Sequence, residues 1–284
     1  MGNYFCGWYI KCQNGAQTVA FIPAYHIVNN QRSCSLQVIT DDDAWNVEYP
    51  YAEFSKDEQG VKIGPNVFAK EGCHLEVCIP GLEVHGDLKF GAFAPIAYDI
   101  MGPFKFVPFM ECRHSVFSMK HRVDGNLTIN GTEFAFENGP CYIEGDRGYS
   151  FPSEYLWTQC CFPEGSVMLS VADIPFCGIH FTGIISAIHY GGREYRIATY
   201  LGARAVKIQG GEAVIRQGDL TLTVRRLEDR GKPLAASVGG DMKRTIRESA
   251  ACRTYYHLQR KKDTIFEFVS PMAAFEYEYP DKTR

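Results

Sequence analysis

Leu82-Glu-Val-His-Gly-Asp-Leu-Lys-Phe90 alternates strictly, with Leu82, Val84, Gly86, Leu88 and Phe90 on one side of an extended chain and Glu83, His85, Asp87 and Lys89 on the other. A period of two marks a strand with one face buried and one face in water. Leu220, Leu222 and Val224 alternate with Thr221, Thr223 and Arg225 in the same way. Turn formers separate such runs, in Val123-Asp-Gly-Asn126, Ile129-Asn-Gly-Thr132 and Tyr190-Gly-Gly-Arg193. Short strands at roughly 8–12-residue spacing with Gly and Asn turns predict an all-β protein of antiparallel barrels or sandwiches. Helix signals are scarce. Asp241 can cap one short helix through Ser249 by accepting from its free N–H groups. Residues 95–110, interrupted by Pro95, Gly102, Pro103 and Pro108, read as a crossing loop or lid.

A chain of 284 residues makes one large domain or two modest ones. Its 45% hydrophobic and 22% charged content is that of a soluble globular protein, and a formal net charge of −4 offers no basic footprint for nucleic acid. The 13% aromatic content suits strands and apolar cavities. No apolar run is long enough for a membrane-spanning segment, and the N-terminus lacks a charged region followed by an apolar one. Cys6 stands where a myristoylation signal wants Ser or Thr, so the expected location is cytoplasmic, where the Asn126 and Asn130 sequons have no use. Eleven cysteines at scattered spacings predict free buried thiols rather than a disulfide frame. Cys73/Cys78 and Cys160-Cys161 lack zinc spacing, and the histidines form no ligand pair, so no metal site is expected. Nucleotide-binding glycine motifs and a hydrolase nucleophile elbow are also missing, so no cofactor is indicated.

A faint internal repeat runs through the chain. Gly7-Trp-Tyr-Ile-Lys-Cys12 echoes Leu156-Trp-Thr-Gln-Cys160, Thr18–Pro23 echoes Leu169–Pro175, and His85-Gly-Asp-Leu88 echoes Gln217-Gly-Asp-Leu220. It predicts two related β-modules, 1–145 and 146–284, packed closely because no flexible linker divides them.

At that junction lies Tyr142-Ile-Glu-Gly-Asp146-Arg-Gly-Tyr-Ser-Phe-Pro-Ser-Glu-Tyr-Leu-Trp157-Thr-Gln159. In extended chain Glu144 and Asp146 share one face, and so do Trp157 and Gln159. With Tyr4-Phe-Cys-Gly-Trp-Tyr-Ile-Lys11, Ile100-Met-Gly-Pro-Phe-Lys-Phe-Val-Pro-Phe-Met-Glu-Cys-Arg-His114 and Gly240-Asp-Met-Lys-Arg-Thr-Ile-Arg-Glu-Ser249, this segment resembles the signature of the tocopherol cyclase-like family. Cys6 replaces an acid of that pattern, and Arg147 stands where Trp is usual. The resemblance implies two lipocalin-like β-barrels side by side and a small apolar ligand, an isoprenoid or aromatic lipid. It implies a cofactor-free cyclase, hydratase or isomerase that protonates an alkene, or alternatively a non-catalytic hydrophobic-ligand carrier.

Such chemistry needs an acid in a dry cavity with aromatic groups near the developing cation. Glu144 and Asp146 are the first candidates, since two close carboxylates resist joint ionisation. Trp157 and Tyr142 would form the wall and Gln159 would orient. Glu111 and His114 come next, although alternation sends them to opposite sides of a regular strand. Trp8 is a further wall candidate, or the plug of one barrel end, with Lys11 reaching water. Met101, Phe104, Phe106, Phe109 and Met110 are too apolar to leave in solvent and should line or cover a pocket.

Overall fold

The structure, a computed structural model, describes residues 3–108, 110–176, 178–238 and 241–280. Its strands form two antiparallel sheets. The first sheet holds β1 (Tyr4–Gln13), β2 (Thr18–Val28), β3 (Gln31–Thr40), β4 (Ala44–Tyr49), β5 (Phe54–Lys56), β6 (Gly60–Ile63), β7 (Asn66–Ala69), β8 (Gly72–Ile79), β9 (Leu82–Phe90), β10 (Cys112–Ile129) and β11 (Thr132–Gly148). The second holds β12 (Tyr155–Phe162), β13 (Gly165–Phe176), β14 (Ile179–Tyr190), β15 (Arg193–Ala198), β16 (Arg204–Gln209), β17 (Glu212–Gln217), β18 (Leu220–Arg226), β19 (Lys232–Val238), β20 (Asp241–Arg260) and β21 (Asp263–Tyr277).

Both sheets follow one plan. The first and last strands of each, β1 with β11 and β12 with β21, pair in the middle, and hairpins extend outward on both sides. Each sheet bends over a core drawn from nearly all its strands, around Phe21, Leu36, Leu75, Leu127 and Phe136 in the first and Leu169, Ile188, Ile215, Tyr256 and Phe275 in the second. The outermost strands do not join, β4 with β5 or β15 with β16, so the expected barrels are open, curved lipocalin-like sheets. The repeat is structural where its first two echoes fall, since β1 matches β12 and β2 matches β13. The third echo is accidental: His85–Leu88 lies within β9, whereas Gln217–Leu220 makes the β17–β18 turn.

The expected helix at 241–249 is instead the start of β20. That strand pairs with β18, β19 and β21 along its length. Its Thr245, Ile246, Thr254, Tyr255 and Tyr256 suit a pleated surface, so ladder bonds override a weak capping signal. The Asp241 side chain lies outside the described residues. Within the described residues, no helix is long and apolar enough to cross a membrane.

Residues 95–110 connect β9 to β10 of the first sheet but are tied to the second. Ala97 N–H donates to Glu194 Oε2 at 2.8 Å, Arg196 Nη2 donates to Tyr98 O at 3.0 Å, and Tyr200 O–H donates to Ile100 O at 3.1 Å. The Arg196 guanidinium also covers the Tyr98 ring at 4.2 Å. Gly102 turns the segment with φ +53°, and a Cβ there would meet the Tyr200 ring at 2.6 Å. Gly102→Ala should therefore cost about 1–3 kcal/mol in urea unfolding, from left-handed strain plus overpacking. A change within measurement error would mean that the segment is not anchored on the second sheet.

Candidate active site

Alternation along β11 puts Ile143 in the first core and turns Tyr142, Glu144 and Asp146 toward the second sheet. On one flank, β10 sets His114 opposite Asp146 and Val116 opposite Glu144; on the other, β1 sets Tyr9 opposite Glu144. Across the seam, β12 presents Tyr155 and Trp157, β21 presents Glu276, and β20 sets Glu248 opposite Glu276. Tyr9 and Trp157 meet edge to face with ring centres 5.2 Å apart, joining the sheets at this level.

His114 bridges the two acids. Its Nδ1 lies 2.9 Å from Asp146 Oδ1, hydrogen-bonded. Its Nε2 lies 3.0 Å from Glu144 Oε2, an ion-pair distance but without hydrogen-bond alignment. Burial alone would lower the His114 pKa, but Glu144 and Asp146 outweigh it and hold the ring well above its ordinary value. That favours the imidazolium form near neutral pH. Glu144 Oε2 also accepts from Tyr142 O–H at 2.5 Å and from Trp157 Nε1 at 3.3 Å. Cys112 Sγ lies 3.5 Å from Asp146 Oδ1.

The acids of the second sheet are held differently. Glu276 Oε2 accepts from Tyr155 O–H. Neither oxygen of the buried Glu248 nor the Tyr9 hydroxyl has a partner in hydrogen-bond geometry, so their influence on each other is electrostatic. Burial pushes Glu248 up to about 7, opposed by Tyr9 and Lys11 and reinforced by Glu144. Burial and then the neighbouring Glu248 push Glu276 well above the carboxylate range, against the Tyr155 hydroxyl.

These groups border a cavity of about 110 Å³ between the sheets, lined by His114, Glu144, Asp146, Trp157, Tyr155 and Glu276. Met101, Phe104 and Met110 of the 95–110 segment close one side, and Ile174, Phe181 and Ile185 close another. His114, Glu144 and Asp146 each offer a donor atom within 4.8 Å of the others, a spacing that could embrace a metal ion. Both ring nitrogens of His114 lie at 3.0 Å or less from carboxylate oxygens, and a metal ion would have to displace a ring proton to bind there. Farther along the seam, from Trp157 to Cys161 of β12, a wider cleft of about 1090 Å³ is lined by Lys120, His121, Cys161, Phe162 and Phe268. Its two acids, Glu164 and Glu267, are exposed, and burial takes its His121 down to about 4, leaving the ring neutral.

Of the residues singled out from sequence, Glu144, Asp146, His114, Trp157 and Phe104 meet at the cavity. Tyr142 stands behind Glu144, fully buried. Gln159 shares the Trp157 face but lies deeper, its amide nitrogen 3.3 Å from Cys161 Sγ. Glu111 precedes β10 and points away from the cavity toward Ser150. Phe106 is 77% exposed and covers nothing, and Phe109 lies outside the described residues. Trp8 packs in a satellite core with Tyr25 and Phe54, under Lys56 Nζ at 4.6 Å. Lys11 does not reach water: it is 1% exposed, donates to Met272 O at 3.0 Å, and burial lowers its pKa. Glu248, Glu276 and Tyr155 were not singled out from sequence, and Tyr9 only as part of the opening motif.

Comparison with known proteins adds the following. No family model matches the chain. An alignment 106 residues long, covering 34% of this chain, is 29% identical to the chloroplastic tocopherol cyclase of Zea mays and covers 22% of it. A probable tocopherol cyclase of Oryza sativa subsp. japonica matches at 28% over 106 residues, 22% of its length. The match therefore spans about a fifth of these relatives. The fold is similar to that of CghA crystallised with Sch210972, with TM-score 0.62 and 12% identity over 99% of this chain and 90% of that one. It is also similar to kievitone hydratase from Nectria haematococca, with TM-score 0.56 and 12% identity over 97% and 89%. These likenesses extend over the whole chain and are likenesses of fold.

The buried groups set the pH response. Glu248 has a raised folded-state pKa, so the folded state holds more protons than the unfolded one between about 4.5 and about 7, and stability falls as pH rises through that window. The raised His114 has the same sign: its stabilisation is complete below its unfolded pKa and is lost as pH rises through the folded one. Glu248→Gln removes one ionisable group and should be more favourable relative to wild type at pH 8 than at pH 5, by about 1–3 kcal/mol in urea unfolding. An equal difference at both pH values would show that Glu248 ionises as freely as in the unfolded chain.

Proposed function

We propose that the chain catalyses acid–base addition of O–H across a carbon–carbon double bond of a small apolar substrate, as ring closure, hydration or isomerisation. One observation carries this reading: the Glu144 carboxyl, paired with the buried His114 ring, faces a small apolar cavity walled by an indole. Protonating an alkene creates a carbocation, which an aromatic face stabilises and bulk water would quench unselectively. Trp157 supplies the face and the seam excludes water. Capture by a hydroxyl then releases a proton that needs a base. Glu144 is placed for that role, held by Tyr142 and Trp157, with His114 and Asp146 behind it. The words cyclase and hydratase in the names of the relatives and of one fold neighbour favour the same reaction type.

The site is composite. We assign 1–145 and 146–284 as its two modules, with Glu144 from one and Trp157 from the other. A cavity of about 110 Å³ holds only the reacting fragment, so the rest of a larger isoprenoid or aromatic lipid would extend beyond it.

Native mass spectrometry of the purified protein, followed by assay of prenylated phenols, tests the reading. Glu144→Gln should lower turnover by at least about 100-fold with little change in affinity, because the amide keeps the shape but cannot take a proton. Trp157→Ala should instead weaken binding by about 1–3 kcal/mol through lost aromatic packing. A retained lipid with no turnover of any alkene would favour the carrier.

A further inference from the structure

Glu144 and Glu276 hold the same place in the two halves of the fold. Each is on the last strand of its sheet, β11 or β21, opposite an aromatic residue of the first strand, Tyr9 or Trp157. Both line the cavity, one from each sheet. Their neighbours on the preceding strand differ: Val116 lies opposite Glu144, and Glu248 opposite Glu276. In the first sheet, β10 places His114 opposite Asp146, two residues on from Glu144. In the second, the pairing of Glu248 with Glu276 puts Ile246 at that position. Glu278, which matches Asp146, is drawn aside by Arg244 at 3.0 Å. Among the described residues no cation pairs with Glu276 or Glu248, and both Glu248 oxygens lack a hydrogen-bond partner although the residue is 1% exposed.

A carboxyl without a cation, half-buried at the seam beside a second carboxyl, favours its neutral form. We propose that Glu276 is the proton donor of the cavity, a neutral acid opposite the Glu144 base. This rests on the addition reaction proposed above. The O–H bond of Glu276 breaks, and its proton forms a C–H bond at the less substituted alkene carbon, leaving a carbocation at the other. The substrate hydroxyl oxygen bonds to that carbon and its proton passes to Glu144. Substrate and product are isomers, and the protein has lost one proton at Glu276 and gained one at Glu144. Glu144 releases its proton to water, and Glu276 regains one from water, when product departs.

Infrared spectroscopy at neutral pH locates the proton, and 2-(3-methylbut-2-enyl)phenol in deuterium oxide, assayed for the deuterated 2,2-dimethylchroman, reads the transfer. A protonated-carboxyl stretch should be present in wild type, persist in Glu144→Gln and be lost or sharply reduced in Glu276→Gln. The latter variant should lose at least about 100-fold in turnover while still binding the phenol. Tyr155→Phe removes the hydroxyl that donates to Glu276 and should shift the band without abolishing it, which serves if Glu276→Gln fails to fold. An active wild type with Glu276→Gln within a few-fold of it, or a band unchanged in Glu276→Gln and unshifted in Tyr155→Phe, would overturn the assignment while leaving the addition reaction standing. A wild type that binds the phenol without converting it, and incorporates no deuterium, would overturn the transfer and the addition reaction together.

Discussion

Strand β11 is buried on both faces where it matters, and the polar groups on it have to be satisfied from within. Cys141 and Ile143 fill the first core while Tyr142 and Glu144 face the second sheet, and all four are nearly inaccessible. A carboxylate in such a place is costly unless it is paired and hydrogen-bonded. Glu144 meets that demand with Tyr142, Trp157 and His114, which come from its own strand, the opposite sheet and the neighbouring strand. The seam therefore closes around one oxygen atom. Strand β21 follows the same plan, with Phe275 in the second core, Ala274 buried in the seam and the half-buried Glu276 at the cavity.

The strands were legible because their cause is local. In β9, Leu82, Val84 and Leu88 are buried and Glu83, His85 and Asp87 exposed, as the alternation requires. Alternation also brought Glu144 and Asp146 together and kept Glu111 apart from His114. Closure of a barrel was not legible, because whether outer strands meet depends on curvature summed over a whole sheet. Nor was the conformation of 241–249, whose cap-like start and Arg-Glu-Ser-Ala run carry a helix preference that three neighbouring strands override.

The acids of the second sheet were missed for one reason. In Phe275-Glu-Tyr-Glu-Tyr279, an acid alternating with aromatics reads as the wet face of a half-buried strand. That holds for a lone sheet. Here the outer faces of two sheets cover each other, so the side that looks solvated is interior. Lys11 was misplaced by the same reasoning. What the sequence did carry was the doubling of the fold, in the echo of β1 by β12 and of β2 by β13. From it follows that any acid in the seam of one sheet has a counterpart position in the other.

Duplication by itself would give two equal acids, and two equal acids are poor catalysts of a reaction that needs a donor and an acceptor at once. The difference between them comes from the neighbouring strand. His114 on β10 brings a cation to Glu144 and Asp146, while Ile246 on β20 leaves Glu276 beside Glu248 with no such relief. The cost of enclosing Glu248 and Glu276 falls on stability, where it rises with pH, and the strands around them are held in place by the two apolar cores. Electrostatic strain can therefore be kept in the seam without loosening either sheet, which is where a composite cavity needs it.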